Sequence, residues 1–449
     1  MDKFEIRGGQ RLTGRLTVKG AKNAALPLMA ASLLTDGKVT LTDMPDLADL
    51  AGMRKLLSML GCEIGYLPTP DLQSAGGVFT SIVTDPTASH APYEVVRTMR
   101  ASISTLGPML AKRGNAKISM PGGCAIGERP VDIHLRGLEA LGADIKLNGG
   151  DITATIPSVG GRAGRLRGAR IFLGGPFGST VLGTANVMSA ATLAEGTTTI
   201  EMAACEPEIV DLANMLNAMG AKIRNAGSPR MIIEGVKELS GVEHQVMPDR
   251  IEAGTYLCAA AITCGDITLD NCPIDALMAT LDHLSHMGVT VTWDAKLDPM
   301  RTTARVSCSR VINPIEVTTQ PHPGFPTDLQ AQLMAVLTLA EGNSVITERI
   351  FTERFLHVAE LSRMGAKLFR QGPTVIVSGV RKLVGAQVMA SDLRASACLV
   401  LAGLAAEGQT TVNRVYHLDR GYEKMEERLK LLGADIARVS ERETASVGA

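Results

Sequence analysis

The chain has 449 residues, 45% of them hydrophobic, with 46 acidic and 45 basic side chains and only 3% aromatics. That length and apolar fraction fit two or three domains with proper cores and exclude a disordered chain. The balanced charge removes any general electrostatic pull toward nucleic acid or a charged membrane, and the few aromatics argue against stacking platforms for single strands.

The opening MDKFEIRGG carries no apolar signal-like core, and no apolar run reaches the length of a membrane span. We therefore expect a cytoplasmic protein with no membrane insertion and reduced thiols. Eight cysteines (62, 124, 205, 258, 264, 272, 308, 398) show no CxxC or Cys/His spacing. Seven lie in or beside apolar segments and read as small buried hydrophobes; Cys124 does not.

Along the chain one pattern recurs six times: LSMLGCEI, LEALGADI, LNAMGAKI, LSHMGVTV, LSRMGAKL and LKLLGADI, with glycines at 61, 142, 220, 288, 365 and 433. Each reads as the last turn of an amphipathic helix, a glycine C-cap and a strand. Upstream of each lies a second, more apolar helix that also stops at a glycine-containing turn, at 37, 114, 196, 265, 342 and 408. Units of about 75 residues are long for a solenoid or propeller and suffice for small α/β subdomains. Three units per domain, with a boundary near VMPDR (246–250), is the economical arrangement, the apolar helices packing on one another and the sheets lying outside.

Counting back from the second glycines places helix starts at Lys22, Arg100, Thr180, Arg250, Asp328 and Arg394, with Pro27 inside a first turn. Helix N-termini carry unpaired N–H groups and favour anions. Four cationic starts brought together by repeat symmetry would make a cleft for a multiply charged substrate. Taken singly, each is an ordinary capping or solvated residue. Arg129 in MPGGCAIGERP (120–130), Arg354 in FTERF and Arg420 in YHLDRGYE lie in turn-rich surroundings. Each alone reads as a surface ion pair, although arginine also suits bidentate phosphate and carboxylate contacts. In TTQPHPGFPTDLQAQ (318–332) three prolines deliver Asp328 to a helix start, where an N-cap is the ordinary role and a general base the sharper one. His322 reads as structural.

The strings AKNAALP (21–27), TMRAS (98–102), PGGCAIGERPVDIHL (121–135), ATLAEGT (191–197), EPEIVD (206–211), PHPGFPTDLQAQ (321–332), SDLRAS (391–396) and YHLDRGYE (416–423) run from end to end. On these motifs the chain resembles the UDP-N-acetylglucosamine enolpyruvyl transferases (1-carboxyvinyltransferases) of the EPSP synthase-like superfamily. The resemblance implies a two-domain inside-out α/β barrel of six βαβαββ-like repeats with buried helices. Residues 22–247 would form one domain, residues 1–21 with 248–449 the other, and the site would lie between them.

It also implies transfer of the enolpyruvyl group of phosphoenolpyruvate to the 3-hydroxyl of UDP-N-acetylglucosamine, with release of phosphate and no metal or organic cofactor. Cys124 would be the proton donor and Asp328 the base. Lys22, Arg129 and Arg420 would hold phosphoenolpyruvate. Asn23, Arg100, Arg129, Pro130, Val131, Asp132, Ile133, Thr180, Val181, Asp328, Ile350 and Arg354 would line the substrate site, with Asp392 and Arg394 as supporting charges. The chain departs from the family at GGPFGSTVLG (174–183), where Gly178 stands in place of a usual lysine, and in a longer linker at 157–170. Shikimate-pathway transferases share the superfamily, but their Asp-Lys-Ser hallmark is absent; a non-catalytic nucleotide-sugar sensor is the alternative from another class.

Overall fold

A computed structural model describes residues 2–121, 131–158, 164–308 and 311–440. Six helix starts lie close to where the spacing puts them. The inner helices are Lys22–Ala31, Leu106–Arg113, Val181–Ala191, Arg250–Ile262, Gln330–Leu337 and Leu393–Ala405. Short 3-10 turns, Arg100–Thr105 and Thr327–Leu329, precede the second and fifth. Apart from the part-exposed Ala111–Arg113 end of the second, these segments are buried on nearly every side, as their apolar sequences allow. All 13 residues of Arg250–Ile262 are buried, and only Asn23 is exposed in Lys22–Ala31.

The six outer helices are Ala48–Met59, Asp132–Ala140, Pro207–Ala218, Met278–His286, Leu356–Arg363 and Met425–Leu431. Each is followed by its repeat glycine in the left-handed region, φ +78° to +106°, which explains why the pattern stands out. The second glycine set is less uniform. Gly37 and Gly265 do not take positive φ; Cys264, at φ +51°, takes the left-handed position beside Gly265. Two other expectations need correction. Pro27 is the sixth residue of its helix rather than a first-turn residue. It removes the N–H that would reach the Asn23 carbonyl, a loss tolerated because Asn23 faces solvent. Cys205 and Cys264 are half-buried, whereas Cys62, Cys258, Cys272, Cys308 and Cys398 are buried; all seven are free.

Among the described residues there are six four-stranded sheets, each with one parallel and two antiparallel pairings. Strand order shows the chain lending segments across its length. Asp2–Arg7 lies between Gln409–Asn413 and Asp435–Ser440. Thr13–Thr17 runs parallel to Asp266–Cys272, and Val242–Gln245 parallel to Val39–Met44. The buried apolar side chains accordingly form two clusters, one from Ala21 to Met247 and one combining Phe4 to Val18 with Ile251 to Ile436. Where the chain passes between clusters its two strands pair: Ala21 N–H donates to the Met247 carbonyl (2.7 Å) and Asp249 N–H to the Lys19 carbonyl (2.8 Å).

Within the first cluster the inner helices are cross-tied by Asn186. Its Nδ2 donates to the Ile103 carbonyl (2.7 Å) and its Oδ1 accepts from Gly107 N–H (2.8 Å). A Cβ on Gly107 would lie 2.3 Å from the Asn186 carbonyl oxygen, so only glycine permits this approach.

The strand Asp2–Arg7 is central in its sheet, and Phe4 and Ile6 are fully buried. Phe4→Ala is expected to cost about 3–5 kcal/mol, measured as a lowered urea midpoint. A midpoint unchanged from wild type would contradict the placement of this strand.

Candidate active site

Four of the six inner-helix starts converge where the two clusters meet. Lys22 opens its helix with its backbone N–H donating to Asp249 Oδ2 (3.2 Å). Asp249 in turn N-caps Arg250–Ile262, accepting from the amides of Ile251 and Glu252. Lys22 Nζ lies 2.5 Å from Asp49 Oδ2, in the first turn of the Ala48–Met59 helix. Arg420 reaches the same carboxylate from the other cluster, Nε to Oδ1 at 2.9 Å and Nη2 to Oδ2 at 3.3 Å. Burial lowers the Lys22 ammonium below its ordinary pKa although Asp49 pulls it back, and Arg394 and Arg420 lower it further. Burial would raise the Asp49 carboxyl; Lys22 and Arg420 outweigh it and hold the group below its usual value.

Asp328 is not an N-cap: neither Thr327–Leu329 nor Gln330–Leu337 has a side-chain cap. Its two oxygens are divided between two arginines, Oδ1 to Arg354 Nη1 at 2.8 Å and Oδ2 to Arg394 Nη2 at 2.7 Å. Burial would push this carboxyl up, but Arg394 and Arg354 hold it well below the ordinary carboxylate range. Arg354 is therefore no surface residue; its side chain is buried. Likewise Arg420, although part-exposed, joins the two clusters.

A polar layer backs this pair. Arg394 Nη1 donates to the Tyr422 hydroxyl (3.1 Å), which also meets Thr255 Oγ1 (2.8 Å) and Gln332 Nε2 (3.2 Å). Asp392 caps the last inner helix, accepting from the amides of Arg394 and Ala395. Arg250 pairs with buried Glu208, Nε to Oε1 at 2.9 Å. Glu206 accepts the His322 N–H (3.4 Å) and leaves its second oxygen without a partner; burial raises its pKa. The His322 backbone is hydrogen-bonded to this layer, and its imidazole feels Arg250 and Glu208. His357 is buried behind Arg354 and Asp392, and burial pushes its pKa down to about 4.

The other expected positions are more dispersed. Asn23 is exposed. Arg100 begins the 3-10 turn that runs into the second inner helix. Val131 is the buried N-cap position of Asp132–Ala140, so Asp132 and Ile133 open an outer helix. Thr180 N-caps the third inner helix through Gly183 N–H (3.2 Å) and Val181 is its first residue. Ile350 N–H donates to Glu348 Oε1 (2.8 Å). Cys124, Arg129 and Pro130 lie outside the described residues. Gly178 has φ +103°, and a Cβ there would stand 3.2 Å from Pro321 Cγ in the Asp328 loop. The glycine found in place of a lysine thus sits where a side chain would be strained.

Sequence reasoning assigned no role to Asp49, Glu208, Glu348 or Tyr422. Glu208 and Tyr422 stand inside quoted motifs, whereas Asp49 and Glu348 carry no local signal. Among the described residues no group of three or more His, Cys, Asp or Glu side chains is arranged to hold a metal ion.

The family described as EPSP synthase (3-phosphoshikimate 1-carboxyvinyltransferase) matches residues 6–429. The UDP-N-acetylglucosamine 1-carboxyvinyltransferase of Novosphingobium aromaticivorans is 50% identical over 439 residues, covering 98% of this chain and 99% of that one. Its counterpart in Gluconobacter oxydans is 51% identical over 441 residues, covering 98% and 100%. Among solved structures, the enolpyruvyl transferase NikO from Streptomyces tendae superposes with a TM-score of 0.85 at 25% identity, covering 98% of this chain and 99% of that one. EPSP synthase from Acinetobacter baumannii, at 19% identity and a TM-score of 0.75 over 98% and 100%, shares the fold.

A carboxyl held low by cations adds stability that is complete above its unfolded pKa of about 3.9 and is lost as pH falls through the folded value. Asp328→Asn leaves two buried guanidinium groups uncompensated and is expected to cost about 3–5 kcal/mol at neutral pH. The gap to wild type should narrow below about pH 4 as Asp328 takes a proton in the unfolded chain. Urea midpoints from pH 7 to pH 3 test this; a gap that widens with acid would contradict it.

Proposed function

The chain belongs to the EPSP synthase family of 1-carboxyvinyl (enolpyruvyl) transferases, and from that membership we propose that it transfers the enolpyruvyl group of phosphoenolpyruvate to the 3-hydroxyl of UDP-N-acetylglucosamine, releasing phosphate. This is the first committed step toward peptidoglycan precursors. Full-length identity near 50% to transferases named for that acceptor supports the choice of sugar nucleotide. The observation that carries the chemistry is the Asp328 carboxylate held between two arginines, beside a second cation pair at Lys22 and Arg420.

In this reading C3 of phosphoenolpyruvate gains a proton from Cys124 while the sugar 3-hydroxyl, giving its proton to Asp328, attacks C2. Phosphate then leaves the tetrahedral intermediate as the methyl carbon loses a proton. Lys22, Arg129 and Arg420 neutralise the phosphate and carboxylate as charge moves. Asn23, Arg100, the stretch 129–133, Thr180, Val181, Ile350 and Arg354 contact the substrates, and Asp392 and Arg394 support the reacting centre. Residues 22–247 form one domain and residues 1–21 with 248–449 the other, as an inside-out α/β barrel with the site in the cleft.

The resting ion pairs fit this chemistry. Asp49 occupies Lys22 and Arg420 as a substrate phosphate would, so an arriving anion competes with a carboxylate for preformed cations. A doubly paired Asp328 is a weak base. When an anionic substrate draws one arginine away, the carboxylate's proton affinity rises, so the base strengthens once substrate is in place. The GGPFGSTVLG departure falls at the sugar-nucleotide end of this reading, where affinity rather than chemistry would change.

Phosphate release is expected to require both phosphoenolpyruvate and UDP-N-acetylglucosamine. Release with shikimate-3-phosphate in place of the sugar nucleotide would overturn the acceptor, and binding without turnover would favour a sensor. The epoxide fosfomycin, an analogue of phosphoenolpyruvate, is expected to alkylate Cys124; peptide mapping that finds the adduct elsewhere would remove the thiol from its assigned place.

A further inference from the structure

Glu348 directly follows the Asn343–Thr347 strand and is fully buried. Among the described residues no cation forms an ion pair with it; four neutral donors satisfy it instead. Oε1 accepts from Thr319 Oγ1 (2.8 Å), Ile350 N–H (2.8 Å) and Phe351 N–H (2.9 Å), and Oε2 accepts from Thr327 Oγ1 (2.9 Å). Those donors come from two segments, the loop that delivers Asp328 and the loop that delivers Arg354. One buried carboxylate therefore joins the two.

A threonine hydroxyl has a single proton and two lone pairs. Thr327 spends its proton on Glu348, so toward Arg354 it can only accept. Arg354, which can only donate, meets it with Nη1 at 3.0 Å, and the same Nη1 reaches Asp328 Oδ1 at 2.8 Å. The order is fixed throughout: Arg354 donates to Thr327, and Thr327 donates to Glu348. Thr319 repeats it, accepting the Arg349 N–H (2.8 Å) while donating to Oε1. Arg354 Nε finds no partner of its own, so the placement of this guanidinium rests on what Nη1 and its neighbours hold.

We propose that Glu348 is a positioning residue for enolpyruvyl transfer: by consuming the Thr327 proton it makes that hydroxyl an obligate acceptor, which sets Arg354 against the Asp328 carboxylate. The inference rests on Asp328 acting as the base of that reaction. In Glu348→Gln the three donors at Oε1 retain the amide oxygen, which puts the NH2 group at the Oε2 position. It then donates to Thr327, whose hydroxyl proton must turn elsewhere, so the oxygen that Arg354 reaches is shared with a second donor and the Arg354 contact weakens. Thr327→Val removes the same acceptor without changing any charge.

The charged groups facing Asp328 are Arg354 and Arg394, with Arg250 close by and paired to Glu208; Asp249 and Tyr422 face Arg394. None of these is altered by either variant. Each variant is expected to lower kcat/KM about tenfold, the scale of one charge-assisted hydrogen bond, with the double variant no worse than the weaker single. A loosened Arg354 holds Asp328 less firmly, so the acid limb of the kcat/KM profile should rise from below about pH 4 into the accessible range. Thr327→Ser, which keeps the hydroxyl, should restore the wild-type profile.

An unmoved limb, a limb moved to lower pH in Glu348→Gln (the result of simply removing a nearby negative charge), or additive losses in the double variant would each overturn the proposal. Should Glu348→Gln fail to fold, the Thr327→Val and Thr327→Ser pair decides by the same profile. Asp328→Asn is assayed alongside. An inactive Asp328→Asn with wild-type behaviour in Glu348→Gln and Thr327→Val overturns the Glu348 inference alone. A fully active Asp328→Asn overturns the assignment of the base, and this inference with it.

Discussion

An ammonium group at the start of a buried helix can keep its charge only beside a carboxylate, and Asp49 is that carboxylate for Lys22. The inner helices are buried along nearly their whole length, so any charge at their N-terminal ends sits at the junction of two apolar cores. Such a charge is unfavourable unless paired and hydrogen-bonded. The pairs that result are Lys22 with Asp49, Arg394 with Asp328 and Arg250 with Glu208. Lys22 and Arg250 are each paired by a carboxylate on an outer helix. The ion pairs thus follow from helix burial, and a cleft rich in placed cations follows from the ion pairs.

The same pairing sets the chemistry available there. Two guanidinium groups on one carboxylate make a firm anchor and a poor base, so strength and reactivity pull in opposite directions at Asp328. Relief can come only from a group that competes for the arginines, and an anionic substrate is such a group. In the proposed reaction, with Asp328 as the base, this would couple proton transfer to occupancy of the site. A general base left strong in the empty cleft would take a proton from water and gain nothing when substrate arrived.

Much of the fold was legible because glycine leaves a mark where backbone geometry demands it. The six outer-helix glycines all take positive φ, and their spacing gives the repeat count; the helix starts are read from the second glycine set, although Gly37 and Gly265 do not take positive φ. Pro27 was misplaced because a proline one turn after an exposed residue looks, in sequence, like one tolerated in a first turn. The site was legible in its cations and in Asp328. Lys22, Asp328, Arg394 and Arg420 stand in recurring or turn-rich contexts, but Asp49, which pairs Lys22 and Arg420, does not. Asp49 and Arg420 are 371 residues apart in the chain, and nothing local in DLADLAG announces an ion pair across two cores. Glu348 was invisible for a related reason: its partners are hydroxyls and amides, which leave no charge pattern to find.

The segment 419–423 shows how closely the crossing of the chain and the site are joined. Arg420 holds Asp49, and Tyr422 holds Arg394. Glu423 takes the buried Lys19 ammonium at 3.3 Å and the Asp46 N–H at 2.8 Å. Lys19 lies at one passage of the chain between the cores, where its own N–H donates to Glu252 (2.7 Å), itself paired with buried Arg428 (2.9 Å). Asp46 and Asp49 frame the start of one outer helix, so Arg420 and Glu423 grip that helix start from the opposite core at two points. A rotation of one core against the other must therefore strain both grips together, while Tyr422 stays within its own surroundings. Motion between the cores and the state of the Lys22–Asp49–Arg420 cluster are consequently not independent variables: what loosens Arg420 from Asp49 also removes one of the two contacts that fix the cores' relative angle at this helix.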